Sequence, residues 1–416
     1  MSLENVSIVP LKDVVKRVKV GFVGSCNNDY CSSDEGVPMI RTTNLTTEGI
    51  KLENLKYINN TFHIAHKKSQ LHFGDILIAR HGHNGLASLW EYKFDAQCLN
   101  VVVVEPDESL ANRYYLTYLI NSPLIQKQIK SLTGGSVQSV INTKDIADLL
   151  IPIPSLDKQK EIADFISLFN KKISVCKSIN KNLEEQLLRI FDSWFLKFEL
   201  SNEFSDSKLG LIPKGWKIDY LGSKKSCSII KSGIDEFDNS KIYIATADVD
   251  NSIITSNDTL ITMDDKPSRA NMQPISNSIW FAKMIDSKKL IMVDEYCNDL
   301  LNNYIFSTGF CGLKCVDKYF YYLWTFLLTD VFDVMKNNFC TGTTMQAINN
   351  KDTKLIEFVL PDDKTITQFN SIAKPMFKKI YYNNLEIKKL QRLRDTLLPK
   401  LMSGEINVSE VNCDLE

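Results

Sequence analysis

Two segments of the chain, one in each half, repeat the same residues in the same order. Residues 133–145 carry Thr-Gly, Gln, Asn and Lys-Asp, and residues 341–352 carry the same elements with one residue deleted. Each copy leads through an apolar, strand-like stretch to a proline, at residues 149–154 and 355–361, and then into a long helical pattern. Because a repeat of this kind indicates a duplicated structural unit, the sequence predicts two copies of one arrangement, a globule followed by a helix.

The segments upstream of these copies correspond in pattern rather than in residues. Residues 73–80 resemble residues 275–283, and residues 38–45 resemble residues 242–249, where an apolar run gives way to a polar turn. Apolar runs bounded by turn residues predict strands in both globules.

Two long helices are predicted from a heptad pattern, in which seam residues recur at alternating spacings of four and three. The first seam consists of Ile162, Ile166, Phe169, Ile173, Cys176, Asn180, Leu183, Leu187, Ile190 and Trp194, and the second of Phe369, Ala373, Met376, Ile380, Asn383, Ile387, Leu390, Arg394, Leu397 and Leu401. Each helix would be roughly 60 Å long at ~1.5 Å per residue, too long to bury its seam on one small globule. The seams therefore predict that the helices pack on each other, with a kink or an interruption at Pro375.

The predicted fold class is α+β, with two globules joined by two long antiparallel coiled-coil helices about a pseudo-two-fold axis. This arrangement would place Asn180 opposite Asn383, a buried polar pair that fixes the register of the helices. The predicted segments are residues 1–154 for the first globule, 155–200 for the first long helix, 201–361 for the second globule, 362–404 for the second long helix and 405–416 for a C-terminal tail.

Charge and cysteine usage exclude several classes of protein. Lys and Arg total 49 against 50 Asp and Glu, so the net charge of −1 does not by itself suggest a nucleic-acid-binding protein. The ten cysteines lack the paired short spacings of a disulfide framework and indicate a reducing, cytoplasmic compartment. We expect neither secretion nor membrane insertion, because the N-terminus has no signal-peptide pattern and every apolar stretch is broken by charged or polar residues.

The order and duplication of these elements resemble the DNA-specificity subunit of type I restriction-modification systems. The resemblance is carried by the Ile-Pro-Ile-Pro lead-in and the residues after it at 151–162, by the Gly-Asp-Ile-Leu-Ile strand at 74–78, and by the two Thr-Gly, Gln and Asn elements. It covers nearly the whole chain. The second lead-in departs from the pattern, since residues 359–363 contain one proline fewer, and this affects the details of the second helix start.

The resemblance implies that each globule is a target recognition domain that reads one half of a bipartite sequence in double-stranded DNA. It implies that the helices set the spacing between the half-sites and dock two methyltransferase subunits, with restriction subunits joining for cleavage in phage defence. It also implies that this chain is not catalytic and binds no cofactor, and that S-adenosylmethionine is held by the partner methyltransferase.

Arginine makes the commonest specific contact to guanine, and it is scarce here, with eight arginines among 49 basic residues. Arg41 and Arg80 follow strand-like runs in the first globule, and Arg269 is the one arginine of the second, so these three are the leading candidates for contacts to bases or phosphates. Neighbouring segments supply the other DNA-binding candidates, which are Thr43, Asn44, His81, His83, Asn84 and Gln138 in the first globule and Thr246, Asp248, Lys283, Lys288, Lys289 and Gln346 in the second.

Each candidate also has an alternative role in the fold. The polar residues after the first strand of each globule either read bases or cap a turn. Gln138 and Gln346 occupy equivalent places and either bind adenine or serve the fold, because most side-chain hydrogen bonds are made to backbone or water. A loop arginine can equally be a solvated surface residue.

Metal binding, DNA modification by this chain and a purely structural role are the alternatives to DNA recognition. The five histidines lack a Cys-x-x-Cys partner, so no metal is expected. A nuclease needs carboxylates that converge from separate elements, which the adjacent Asp362 and Asp363 do not provide. A coiled-coil scaffold that binds only proteins stays open, since residues 1–150 carry 15 basic and 15 acidic side chains and residues 201–360 carry 17 and 20.

Overall fold

The computed structural model describes residues 6–82, 85–132, 140–343 and 345–411. The chain divides into two compact units, each of which mixes helices with β-sheets. The first unit is Met1–Ser178 with Asn383–Glu416, and the second unit is Ile179–Tyr382. Both divisions fall within long helices, so each unit contains one globule and a part of each long helix. The predicted α+β class is confirmed.

The first unit contains a globule of short strands and short helices. Its strands are β1 (Ser7–Pro10), β2 (Val15–Val20), β3 (Tyr30–Cys31), β4 (Gly36–Arg41), β5 (Leu45–Thr46), β6 (Gly49–Ile50), β7 (Lys56–Asn59), β8 (Ile76–Ala79), β9 (Ala87–Leu89), β10 (Gln97–Leu99), β11 (Val101–Pro106) and β12 (Leu150–Ile153). Its helices are α1 (Asn60–Ala65), α2 (Arg113–Ile120), α3 (Pro123–Leu132), α4 (Thr143–Ala147) and the long α5 (Leu156–Phe191), whose C-terminal part belongs to the second unit.

The second unit contains the other globule. Its strands are β13 (Phe204–Ser207), β14 (Gly210–Pro213), β15 (Lys217–Tyr220), β16 (Cys227–Ile229), β17 (Lys241–Ile244), β18 (Val249–Asp250), β19 (Ile253–Ile254), β20 (Leu260–Ile261), β21 (Ala270–Met272), β22 (Ser278–Ala282), β23 (Leu290–Val293), β24 (Tyr304–Ser307), β25 (Phe310–Cys315) and β26 (Glu357–Leu360). Its helices are α6 (Asn298–Asn303), α7 (Phe320–Leu327), α8 (Asp330–Asn338), α9 (Asn350–Thr353) and the long α10 (Asp363–Ser403), whose C-terminal part belongs to the first unit.

The main sheet has the same topology in both units, whereas the second sheet shares three strands and differs in the position of its fourth strand. The first unit has sheets in the order β2-β11-β8-β9 and β10-β4-β7-β3, and the second has β16-β25-β22-β23 and β20-β17-β24-β21. One pair is parallel in each unit, β10 with β4 and β17 with β24. An antiparallel ribbon recurs as well, formed by β1-β12 in the first unit and by β15-β26 in the second. A small hairpin also recurs, formed by β5-β6 in the first unit and by β18-β19 in the second. The second unit adds the hairpin β13-β14.

The central strands are apolar on both faces, because each separates two cores. Along β11, Val102 and Val104 pack into one buried cluster, and Val101 and Val103 pack into another. Side chains of a strand alternate between the two faces of its sheet, so an uninterrupted run of valines fits a sheet covered on both sides. The same alternation occurs along β22 in the second unit.

The long helices run antiparallel where they meet within the first unit. Arg394 Nη1 donates to Asn170 Oδ1 at 2.9 Å, and Lys172 Nζ lies 3.5 Å from Glu386 Oε1. Residue numbers thus fall along α10 as they rise along α5. The buried cluster between these segments consists of Phe169, Ile173, Cys176, Ile387 and Leu390, all of them predicted seam residues.

Aromatic rings dominate the contact between the long helices within the second unit. The ring centroid of Phe369 on α10 lies 6.0 Å from that of Phe191 and 5.1 Å from that of Phe195, which follows α5 in a π-helical turn, Asp192–Leu196. A kink or an interruption was expected at Pro375, and the interruption does not occur, since α10 is continuous through that residue.

Two sequence predictions about the helices stay predictions. Asn383 is buried in the first unit and Asn180 is half-buried in the second, and their pairing is not tested. The domain boundaries predicted at residues 154, 200, 361 and 404 are likewise untested. Among the described residues, no helix is both long enough and apolar enough to cross a membrane.

Candidate nucleic-acid interface

In the first unit, a strand leads into a short 3-10 turn that carries several sequence candidates. Strand β4 ends at Arg41, the turn is Thr42–Asn44, and the hairpin β5-β6 follows. Asn44 is 4% exposed, and its Oδ1 accepts the backbone N–H of Arg41 at 3.0 Å while its Nδ2 donates to the carbonyl of Lys51 at 3.4 Å. The Asn44 side chain therefore closes the turn, and Thr43 beside it is exposed.

The second unit builds the same turn with different residues. Strand β17 leads into the 3-10 turn Thr246–Asp248, and the hairpin β18-β19 follows. Asp248 Oδ2 accepts the backbone N–H of Ala245 at 2.8 Å, the bond that Asn44 makes in the first unit. The similarity in pattern between residues 38–45 and 242–249 thus reflects a shared turn geometry. That geometry needs only a side-chain oxygen at the position of Asn44 and Asp248.

The loop after β8 contains Arg80, half-buried, and His81, exposed. Arg80 Nε donates to the carbonyl of Ile141 at 3.0 Å, and the Ile141 N–H points back to the Arg80 carbonyl at 3.4 Å. The part of the first repeat copy that contains Ile141 therefore lies against this loop. Three further candidates, His83, Asn84 and Gln138, lie outside the described residues.

The counterpart in the second unit is the connection from β22 to β23, residues 283–289, which we call the lysine hairpin. Lys283 Nζ donates to the carbonyl of Thr308 at 3.0 Å, and Lys289 Nζ donates to the carbonyl of Thr246 at 2.7 Å. Lys288 is exposed and ion-paired, at 2.6 Å to Asp330. The hydrogen bond to Asp330 raises the pKa of Lys288, so this side chain is a cation at neutral pH.

The second repeat copy also lies against its loop. The N–H of Ile285 donates to the carbonyl of Gln346 at 3.1 Å, and the N–H of Ile348 donates to the carbonyl of Lys283 at 2.9 Å. The Gln346 side chain is exposed beside the lysine hairpin. Arg269 is exposed. It lies close to the lysine hairpin, because its carbonyl accepts the N–H of Thr308 at 2.9 Å.

The second unit thus brings its sequence candidates to one surface. The lysine hairpin touches the Thr246 turn through Lys289, the Arg269 loop through Thr308, and the Gln346 segment through Ile285. An open groove of about 490 Å³ lies here, lined by Thr246, Asp250, Asn251, Ala282, Met284, Ile285, Asp286, Ser287, Lys288 and Lys289.

The two candidate arginines of the first unit, Arg41 and Arg80, lie at neighbouring strand ends. Leu99 pairs with Arg41 in one sheet, and Val101 pairs with Ala79, the residue before Arg80, in the other. The Nε of Arg41 is buried and has no hydrogen-bond partner among the described residues.

Sequence reasoning missed Asn100, which joins these two sheets. Asn100 has φ of 54°, a left-handed conformation that asparagine tolerates better than most residues. Its carbonyl accepts from Thr42 Oγ1 at 3.4 Å, which ties it to the turn of the first unit. The signal for such a residue was an asparagine between two apolar runs, Gln97–Leu99 and Val101–Pro106.

Two of the histidines that raised the question of a metal, His63 and His66, contact a buried glutamine of the first unit. Gln97 is fully buried, and its Nε2 lies 3.2 Å from His63 Nδ1 and donates to the carbonyl of His66 at 3.3 Å. The His66 ring stacks on Phe62 with centroids 4.0 Å apart. Within the described residues, no three His, Cys, Asp or Glu side chains group as metal ligands.

The adjacent carboxylates at the start of α10 have separate roles. Asp362 accepts from the Thr365 N–H at 2.9 Å and from Trp216 Nε1 at 2.8 Å, and Asp363 is ion-paired with Lys318 at 2.7 Å. Partial burial acts against ionisation of Asp362, but these hydrogen bonds outweigh it and lower its pKa. A carboxylate that caps a helix in this way is explained by the fold.

Comparisons with known proteins agree on one family. Residues 4–185 match the model of the type I restriction modification DNA specificity domain. The chain is 29% identical over 310 residues to the type I restriction enzyme MjaIX specificity subunit of Methanocaldococcus jannaschii, covering 71% of this chain and 70% of that protein. It is 23% identical to the MjaX specificity subunit of the same organism, covering 97% and 94%. A crystal structure of a type I restriction-modification S subunit from M. genitalium matches with a TM-score of 0.51 at 15% identity, covering 96% of both chains.

Proposed function

The chain belongs to the DNA specificity subunits of type I restriction-modification systems, and from this premise we propose that each of its two units reads one half of a bipartite target in double-stranded DNA. The observation that supports this proposal is the duplication of one surface. Each unit contains the same elements in the same order: a strand, a capped turn, a small hairpin and a loop. The loop follows β8 in the first unit and β22 in the second. Two copies of one reading surface fit two half-sites.

The proposed contacts differ in kind between the two units. The first unit offers Arg41 and Arg80 at adjacent strand ends, with Thr43 and His81 exposed beside them. Arginine reads guanine through two hydrogen bonds. His83, Asn84 and Gln138 remain candidates from the sequence alone.

The second unit offers a surface richer in lysine. Lys283, Lys288 and Lys289 are point charges suited to phosphates, whereas Arg269 and the exposed side chain of Gln346 are suited to base edges. Asn44 and Asp248 accept backbone hydrogen bonds, so we assign them the positioning of the two turns.

The long helices are proposed to set the distance between the half-sites. The antiparallel packing of α5 and α10 segments within the first unit and the matching seams support a pseudo-two-fold arrangement, with Asn180 opposite Asn383 as its register pair. Two methyltransferase subunits would dock on these helices, one for each half-site, and restriction subunits would join for cleavage.

We further propose that this chain is a non-catalytic, cytoplasmic recognition subunit that binds no cofactor. The carboxylate pair at Asp362 and Asp363 is occupied by capping and ion pairing. S-adenosylmethionine would be held by the methyltransferase partner, which would supply the methyl-transfer chemistry.

The test is a methylation map of the host genome by single-molecule sequencing, with the chain co-expressed with the methyltransferase encoded beside it. A gapped, two-part motif that disappears on deletion of this gene is expected. An unchanged map from a stable, active complex would contradict the proposal and favour the coiled-coil scaffold, for which the near-neutral charge of both globules is the supporting observation.

A further inference from the structure

Helix α8, which supplies none of the proposed DNA contacts, is attached to the lysine hairpin. At the hairpin tip, the Asp286 N–H donates to Asn337 Oδ1 at 3.1 Å, and Asn337 Nδ2 donates to Asp286 Oδ1 at 2.9 Å. Asp286 has φ of 55°, a left-handed conformation that costs a non-glycine residue about 1 kcal/mol or more. The paired bonds from Asn337 hold the tip in this conformation.

A buried lysine makes a second attachment. Lys336 is 1% exposed, and its Nζ donates to the carbonyl of Ser287 at 2.5 Å and lies 3.4 Å from Asp333 Oδ1. The other oxygen of Asp333 lies 3.4 Å from Lys288 Nζ. One chain of contacts therefore runs from the interior of the unit, through α8, to a lysine proposed to contact phosphate.

The first unit shows that the fold does not need a charge at this place. Helix α3 is the counterpart of α8, and both bury an aromatic or branched residue at the same position, Ile125 and Phe332. Four residues after each of these, Ile129 occupies in α3 the position that Lys336 occupies in α8. Ile129 is 1% exposed and packs beneath Gly85, so close that a Cβ at Gly85 would lie 2.9 Å from its side chain.

Burying an ammonium group costs free energy that an apolar side chain of similar volume does not. Lys336 is thus not explained by packing, and what it adds over isoleucine is its hydrogen bond to Ser287 and its contact with Asp333. Both partners belong to the hairpin or to its anchoring network. Lysine in place of isoleucine at this position thus occurs in the unit whose hairpin carries three lysines.

We infer that Lys336 and Asn337 are positioning residues that fix the lysine hairpin against the DNA and thereby set the discrimination of the second half-site, without touching DNA. This inference rests on the proposed function. It assigns a specificity role to a helix that contacts the lysine hairpin and supplies none of the proposed DNA contacts, and it predicts an effect on one half-site only.

The test uses the complete methyltransferase complex and duplexes that carry the mapped motif, with single base-pair changes in either half-site. Lys336→Ile gives the second unit the residue that the first already has, so the variant is expected to fold. The penalty for a changed base pair in the second half-site should fall about tenfold, within the usual cost of one mismatch. The penalty in the first half-site should stay unchanged.

A second variant tests the same inference at a more accessible residue. Asn337→Ala removes both bonds to Asp286 and should also relax the second half-site, by a smaller factor. Asn338→Ala is the matched control, since Asn338 is exposed, is adjacent on α8 and undergoes the same chemical change.

The outcomes separate the inference from the proposed function. If the wild-type complex shows no discrimination at either half-site, the proposed function fails. If the wild type discriminates and both variants keep the full penalty at the second half-site, the inference is overturned alone. Equal losses at both half-sites together with a lower melting temperature would also overturn it, because they indicate a general loss of stability.

Discussion

Asn44 and Asp248 close equivalent turns in the two units, each by accepting a backbone N–H from three residues earlier, at 3.0 Å and 2.8 Å. The residue type differs, yet the oxygen that the turn requires is present in both. A residue that first suggests a base contact thus has a role inside the turn, and the exposed Thr43 next to Asn44 is left to face a ligand. Local geometry recurs where residue identity does not.

The two turns should respond differently to loss of this oxygen. Asn44→Ala removes two hydrogen bonds from a buried position and should lower the free energy of unfolding by about 1–3 kcal/mol. Asp248→Ala removes one at a half-buried position and should cost about 1 kcal/mol, while Asp248→Asn should cost less. Urea unfolding of the three variants checks the order. An Asn44→Ala variant as stable as the wild type would contradict the capping role.

Asn100 should be replaceable by glycine and not by alanine. Its φ of 54° is readily adopted by glycine, whereas alanine there pays about 1–2 kcal/mol. Asn100→Ala should therefore lower the melting temperature and weaken discrimination at the first half-site, because the residue joins the strands that end at Arg41 and Ala79. Asn100→Gly is the matched control and should change neither. Calorimetry and mismatch binding provide the two measurements.

The helix seam can be tested with two adjacent residues of α5. Phe169 is fully buried between the long helices of the first unit, and Leu168 is 50% exposed. Phe169→Ala should cost about 3–5 kcal/mol of unfolding free energy, and Leu168→Ala well under 1 kcal/mol. Similar costs for the two variants would show that the seam is displaced by one residue. Chemical unfolding followed by circular dichroism is the measurement.

Lys288 should contribute to DNA affinity without contributing to sequence choice. If it neutralises one phosphate, Lys288→Ala should reduce the slope of log affinity against log salt by about 0.9 and weaken all sequences alike. Lys318→Ala is the control, since Lys318 is also an exposed, ion-paired lysine of the second unit, but its partner is Asp363 at the start of α10 and not a residue beside the lysine hairpin. An unchanged salt slope for Lys288→Ala would remove this residue from the set of phosphate contacts.

The sequence predicted those features that depend on local pattern. The strand predicted at residues 74–78 is β8, and the strand-like stretches predicted at residues 149–154 and 355–361 form β12 and β26. Seam spacing predicted which faces of α5 and α10 are buried between the helices of the first unit. These signals work because the period of apolar residues reflects helix or strand geometry directly.

Features that depend on long-range packing were not predictable. Nothing local in Gln97–Leu99 indicates a parallel partner in β4, and nothing in Lys336 distinguishes a buried lysine from a solvated one before the hairpin above it is placed. Phe377 and Leu398 are buried although they lie outside the predicted seam, because globule residues as well as the other helix cover α10. Tertiary contacts decide these cases.

The stability of the second unit should depend on pH through Lys336. Burial lowers the pKa of this lysine, with Asp333 opposing the effect. The folded protein then binds the proton less tightly than the unfolded chain, so stability rises with pH between the lowered pKa and the ordinary value of 10.5. Below the lowered pKa the cost of the buried charge is fully present. Lys336→Ile removes it and should raise the melting temperature at neutral pH.

The advantage of Lys336→Ile should shrink as the pH rises from the lowered pKa towards and beyond 10.5, because the wild-type lysine then loses its proton in the unfolded chain as well as in the folded state. Melting curves of both proteins from neutral pH to about pH 10 test this, and the control is Lys336→Arg, which keeps a cation across the whole range. A variant that melts well below the wild type at neutral pH would mean that the ammonium stabilises the fold. Lys336 would then be a structural residue, and the reason for placing specificity on α8 would be lost.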